Sequence, residues 1–365
     1  MKFNILRLRL QDNSGIIMIV TLWILIILSV LAVGLGRRTS LDLALTKYSI
    51  ARAKAMSLAW GALTYSMNEI RKDSEDDDAE KFDSFYQCGF YLPEESSAEE
   101  IFENRPLGDG FFDVRYKIEQ GKGADRICYG FEDEERRLNL NSIYSGNYKV
   151  LYHLIVLLGF DEATALTISC SVVDWHDDDS IVTEAPHGAE DDYYVALIKP
   201  YRCKNTTFET IEELLLVKGV TKEIFDSLKD YVTVFPLEAR DLKVNINTVK
   251  EDILKAIFRA TAERNPGAEE LDADSLTQKI VSYRLGEDAM ACTADDRIIE
   301  KANSEPLSLN QSEQAIFLSA VNHFIESAQY FRITVHGYDE PSGVKAQIQA
   351  VVDREDLTIL RWRRN

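Results

Sequence analysis

GIIMIVTLWILIILSVLAVGLGRR, residues 15–38, decides how this chain is built. From Ile16 to Gly36 no side chain is charged and most positions are aliphatic. At about 1.5 Å per residue, a helix over this stretch is about 30 Å long and crosses a bilayer once. A leader carrying Lys2, Arg7 and Arg9 and ending Asn13-Ser14-Gly15 precedes it. A secretory signal peptide has a shorter apolar core followed by a small-x-small cleavage site. Here the run continues instead through Arg37 and Arg38. Beyond them Leu41, Leu45, Ala51, Ala55, Leu58, Ala59 and Leu63 recur at helical spacing, with no proline up to Ile70. The expectation is one helix over residues 16–70, with residues 16–36 in lipid and an amphipathic second half.

That shape, behind a leader of residues 1–15 cut after Gly15 to expose Ile16, resembles the type IV pilin and type II secretion pseudopilin superfamily. Most subunits of that superfamily carry a Glu at the fifth mature position, which neutralises the terminal amine of a neighbouring subunit. Here the fifth position is Val20, and among pseudopilins this absence marks the protein K (GspK) family. Several separated segments are similar to the same family. They are Arg137-Leu138-Asn139-Leu140-Asn141, Val173-Asp174-Trp175-His176-Asp177-Asp178-Asp179, Gly188-Ala189-Glu190-Asp191-Asp192-Tyr193-Tyr194, Pro200-Tyr201-Arg202, Glu213 to Val220, Val244-Asn245-Ile246-Asn247-Thr248 and the closing Arg361-Trp362-Arg363-Arg364.

The resemblance implies an α+β fold, with a pilin-like N-terminal helix packed on an antiparallel sheet and a large inserted all-α domain of helix-hairpin-helix or SAM-like type. It implies a minor pseudopilin at the pseudopilus tip that initiates or caps assembly for export across the outer membrane. The implied partners are GspI- and GspJ-type minor pseudopilins, the major pseudopilin and a prepilin peptidase, with N-methylation of the mature end. It places the chain in the inner membrane as a single-pass protein with a periplasmic C-terminal domain. Basic residues on both sides of the span would by count alone leave the soluble part in the cytoplasm, but long domains translocate largely regardless of charge.

Composition suits an envelope protein with a large soluble part. Roughly 300 residues follow the anchor, enough for a sizeable core. The formal net charge of -20 repels nucleic acid and suits divalent cations. Five cysteines, at 88, 128, 170, 203 and 292, leave at least one free or paired between chains. Cys170 and Cys203 bracket an acidic loop; a disulfide between them would staple it in an oxidising compartment, and two buried thiols are the open alternative.

After an acidic linker at residues 71–80, alternation over 111–118 and 126–131 across Gly121 and Gly123 reads as a β-hairpin. Residues 150–158, 163–173, 210–217, 222–231, 250–262, 273–285 and 312–324 read as helices, and 330–338, 344–353 and 357–362 as strands. The division is therefore 71–147 for the first part of the sheet domain, 148–325 for a helical insertion and 326–365 for the rest of the sheet.

Chemistry concentrates between Asp174 and Asp192, where eight carboxylates surround Pro186 and Gly188. Calcium takes about six to eight hard oxygens from flexible loops, and Asp174, Asp177, Asp179, Glu184, Glu190 and Asp191 are its candidate ligands. The resemblance also implies calcium in the inserted domain. A solvated acidic loop is the bland reading, and zinc on His176 and His187 a third. Leu216 to Thr221 imitates a DNA-binding hairpin, so a membrane-anchored DNA-uptake protein is an alternative. However, acidic residues surround Lys218, Lys222 and Lys229, and Thr221 stands where a second glycine is needed. No nucleophile and base pair stands out, so the chain reads as an assembly protein rather than an enzyme; a metal-dependent hydrolase is the weakest alternative.

Overall fold

A computed structural model describes residues 14–75, 97–120, 124–301 and 303–364. Most of the leader, Cys88, the second half of the acidic linker and the hairpin tip at Gly121 and Gly123 lie outside these residues. Helix α1 runs Ser14–Glu75. It is followed by α2 (Ala98–Phe102), β1 (Arg105–Leu107), β2 (Gly110–Gln120), β3 (Ala124–Tyr129), β4 (Glu132–Asp133) and β5 (Leu138–Asn139). Next come α3 (Lys149–Leu157), α4 (Glu162–His176), α5 (Asp191–Val195), α6 (Lys222–Leu228), β6 (Val232–Thr233), β7 (Val244–Asn245), α7 (Glu251–Ala262), α8 (Glu270–Arg284), α9 (Gln311–Ala320) and β8 (Phe324–Ile325). Strands β9 (Tyr330–Asp339), β10 (Val344–Asp353) and β11 (Ile359–Arg364) close the described chain.

The sheet order is β1-β2-β9-β10-β11, with β3 on β2 and β4 on β9, and every pairing is antiparallel. Strands from before and after the helical block are thus hydrogen-bonded to each other, which closes that block's chain ends side by side. Period-two alternation on β9 sends Phe331, Ile333 and Val335 to one face, where they meet Ala59, Ala62, Leu63 and Ile70 of α1. The other face carries Arg332, Thr334 and His336. A separate apolar core unites α3, α4, α7, α8 and α9 through residues such as Leu154, Ile168, Ile257, Leu276 and Phe317.

The first half of α1 packs on nothing among the described residues: the apolar positions from Ile16 to Leu35 are all largely exposed. This is the pattern of a helix whose solvent is lipid, and it is the one described helix long and apolar enough to span a membrane. The helix also passes the expected end at residue 70. Its last turn is docked by an ion pair between Asp73 and Arg354, so a tertiary contact orders residues that read as linker. Other differences are local. Residues 211–216 form a 3-10 helix behind a Thr210/Glu213 capping box, α9 stops at Ala320, and β11 starts two residues late because Leu357 takes a left-handed φ of 58° in the turn before it.

A buried ionic network joins sheet to helical block. Glu134 lies in a 3-10 turn after β4 and is fully buried. It accepts from Arg332 and from the Thr233 hydroxyl at 2.6 Å each, and from Arg137 at 3.3 Å. Glu132 accepts from Arg137 at 2.6 Å and Arg136 at 3.1 Å. Burial pushes the Glu132 carboxyl up, but Arg137, Arg136 and Arg332 outweigh it and hold the group at about 2. Both carboxylates are therefore ionised, and Arg137 of the Arg-x-Asn-Leu-Asn segment is their shared counter-ion. On the same segment Asn141 bonds Phe208 and Val234 through its side chain, tying the motif to two further loops.

His336 on β9 supplies a pH response. Burial, then the Arg115 guanidinium, with Lys345 adding and Asp113 opposing, hold its pKa at about 4, against an ordinary value of about 6.5. The unfolded chain protonates first, so this contribution to stability is complete above pH of about 6.5 and is lost as pH falls toward 4. In thermal melts of the full chain, H336Q should lose less stability than the parent between neutral and mildly acid pH. Parallel curves would remove His336 from the acid response.

Candidate functional site

The acidic loop starts where α4 ends. Asp161 caps the start of that helix by accepting from the Thr164 amide at 3.0 Å, and its last turn delivers Asp174, Trp175 and His176. Asp174 is fully buried, yet it is not placed for a metal. Its two oxygens accept from the Thr183 amide at 2.9 Å and the Ala189 amide at 2.6 Å, so it clamps both ends of the loop. Gly188 is required beside it: a Cβ there would meet Asp174 Oδ2 at 2.0 Å. Asp191 accepts from the Cys203 amide at 2.8 Å, and Glu184 accepts from the Tyr148 hydroxyl at 3.2 Å. Trp175, Tyr194 and Tyr201 pack against one another behind the loop.

Three of the six expected ligands come together. Oxygens of Asp177, Asp179 and Glu190 lie within 4.8 Å of one another, the one such group among the described residues. Asp179 also accepts from the Ile181 amide at 2.7 Å, which fixes its rotamer. Glu190 is 6% exposed. Glu190 Oε1, Asp177 Oδ1 and the adjoining Asn205 Oδ1 are buried without a hydrogen-bond partner, while the Asn205 amide nitrogen reaches the Asp179 carbonyl at 3.3 Å. Burial, then the neighbouring carboxylates, push Asp177 up to about 6 and Glu190 up to about 7. Orphaned, mutually repelling hard oxygens are the donor set that a divalent cation satisfies, and they fit calcium better than zinc. His176 lies edge-on to Phe208 at 5.8 Å, and no histidine joins the group.

Of the two alternatives open for Cys170 and Cys203, the structure has the pair of buried thiols and not the staple. Cys170 and Cys203 are buried free thiols, and Cys203 donates to the Asp174 carbonyl at 3.1 Å. The disulfide joins Cys128 of β3 to Cys292 in the loop after α8. It is a second tie between sheet and helical block, invisible in the sequence because 164 residues separate the two cysteines. Sequence reasoning also missed Lys218 and Asn205 at the loop. The motif containing Lys218 was the available signal, read there as part of a phosphate-binding imitation.

An exposed apolar helix continuing onto an antiparallel sheet defines a pilin-like, membrane-anchored subunit, and the sheet here is interrupted by a helical block with an acidic loop. Residues 136–237 match the family model "Type II secretion system (T2SS), protein K". The chain is 29% identical over 261 residues to type II secretion system protein K of Pectobacterium carotovorum subsp. carotovorum, covering 67% of this chain and 70% of that one. It is 26% identical to the Aeromonas hydrophila protein of the same name, covering 66% and 69%. Its fold matches a chain from the crystal structure of the GspK-GspI-GspJ complex of the enterotoxigenic Escherichia coli Type 2 Secretion System. That match has a TM-score of 0.50 and 19% identity over 90% of this chain and 99% of that one. Over about two thirds of its length the chain is therefore similar to type II secretion system protein K.

Proposed function

We propose that this subunit stands at the tip of the pseudopilus, assembled with GspI- and GspJ-type minor pseudopilins above the major pseudopilin, and initiates or caps the fibre. The observation that carries this is the division of α1. Its apolar half, from Ile16 to Leu35, offers its surface to lipid and neighbouring helices, while its second half is fixed to the sheet. Val20 lacks the carboxylate that would receive the amine of another subunit, which suits a subunit with none ahead of it. The GspK-GspI-GspJ complex that contains the similar fold supports the choice of partners.

Prepilin peptidase cuts after Gly15, and the new terminus at Ile16 is methylated. The soluble part lies in the periplasm; the Cys128–Cys292 disulfide supports this, because such bonds persist in oxidising compartments. Asp177, Asp179 and Glu190 hold calcium, which neutralises them and stiffens the loop, and the chain acts as a structural subunit rather than a catalyst.

Co-expression with GspI- and GspJ-type partners, with and without prepilin peptidase, tests this reading by N-terminal sequencing and co-purification from membranes. A chain beginning at Ile16 and recovered with both partners is the expected result. Retention of Met1 in both backgrounds, with no co-purification, would overturn it in favour of a signal-anchored protein outside the pilin pathway.

A further inference from the structure

Lys218 occupies the hairpin turn that sequence alone likened to a phosphate binder, yet its ammonium points inward. Its Nζ donates to the carbonyls of three consecutive residues, Pro186 at 3.1 Å, His187 at 3.0 Å and Gly188 at 2.9 Å. An ammonium has three donor protons and no acceptor, so this set uses all of them. The Tyr193 ring lies 5.0 Å from the same nitrogen, and the Lys218 amide donates to the Tyr194 hydroxyl at 3.3 Å, which fixes the root of the side chain. Gly219 takes φ +85° and turns the chain away immediately after it.

The three carbonyls belong to the segment whose ends Asp174 holds at Thr183 and Ala189, and the next residue is Glu190. One anion gathers the amides of this loop and one cation gathers its carbonyls. We infer that Lys218 is a built-in cation that holds residues 183–190 in the shape that presents Glu190 to Asp177 and Asp179, and so sets the affinity of the cation site. This rests on the reading of those three carboxylates as a divalent-cation site.

Charge and geometry predict opposite signs for its removal. By Coulomb's law, deleting a positive charge near three carboxylates tightens cation binding. Deleting a support that orients a ligand weakens binding by about 10–100-fold. The experiment is a calcium titration of the full chain in detergent micelles after chelation, comparing the parent, K218M and K222M. Hydrogen exchange of the amides of 183–190 is measured in chelator on the same samples. K222M removes an equal charge from the same hairpin, but Lys222 is held by Asp226 at 2.9 Å.

The expected result is calcium binding about 10–100-fold weaker in K218M, faster loop exchange in K218M without metal, and neither change in K222M. Unchanged or tighter calcium binding in K218M with parental exchange would overturn the proposal. If the parent itself binds no calcium, the cation reading fails. The exchange arm then decides Lys218 alone: faster exchange keeps the clamp, and equal exchange removes it.

Discussion

Replacing Glu134 by alanine is expected to lower the folding stability of this chain by about 3–5 kcal/mol, the cost of breaking a buried charge pair on one side. Glu134 is fully buried and accepts from Arg332 of the sheet, Arg137 of the adjoining segment and Thr233 of β6. Removing it leaves Arg137, whose side chain is only 5% exposed, short of half its compensation. An exposed ion pair would contribute only about 0–1 kcal/mol, so the two regimes separate cleanly in urea titrations of the detergent-solubilised chain.

The double variant E134A/R332M sharpens the result. If the loss comes from stranded charge, removing both partners recovers part of it, and the cycle gives a coupling of about 0.5–3 kcal/mol. A single-variant loss below about 1 kcal/mol would show that the network does not hold sheet and helical block together.

The second large effect is expected at Gly337, where α1 crosses β9. A Cβ at that position would lie 2.3 Å from the Ala55 carbonyl oxygen, 2.5 Å from the Ala59 amide nitrogen and 3.0 Å from Leu58 Cβ. Two of these are backbone atoms of a regular helix, which cannot rotate aside as a side-chain tip can. On the helix, Ala51, Ala55, Ala59 and Ala62 form the matching strip of small buried residues. G337V must therefore lift α1 from the sheet, at the upper end of the about 1–3 kcal/mol usual for overpacking.

Limited proteolysis should then release the sheet from the membrane-embedded helix, and co-purification with partner pseudopilins should fall because the anchored helix no longer positions the soluble part. A parental digestion pattern and parental recovery would show that the close crossing is dispensable.

Both effects depend on residues that were ordinary in the sequence. Gly337 stands in a strand whose alternation was readable from Tyr330 onward, but nothing local says that a helix some 280 residues earlier approaches at that point; only the packed crossing does. Glu134 sits in the run Glu132 to Arg137, which as text is a charge-dense stretch. Burial turns it into a junction, because β4 inserts it beside β9 and the helical block closes over it. The choice between a staple and two free thiols was open for the same reason. Cys170 and Cys203 flank the acidic loop in sequence yet are buried as free thiols, while Cys128 and Cys292 meet through the fold. Of the six expected cation ligands, composition found the loop but could not see that backbone amides would claim Asp174 and Asp191 and the Tyr148 hydroxyl would claim Glu184, leaving Asp177, Asp179 and Glu190.

What the sequence determined by itself was everything carried by short-range periodicity. The uncharged run from Ile16 to Gly36, the helical spacing that extends it, the alternation of β9 and β10, and the helices at 251–262 and 270–284 are each set by which face of a local element is apolar. Tertiary structure decided what depends on atoms distant in the chain: where α1 ends, which cysteines pair, which carboxylates lose their hydrogen-bond partners, and which way Lys218 points. The physical reason is that a local pattern reports the preference of one segment for water or apolar surroundings. Charge compensation, disulfide geometry and cation sites instead require several groups within a few ångströms, and only the folded chain brings those groups together.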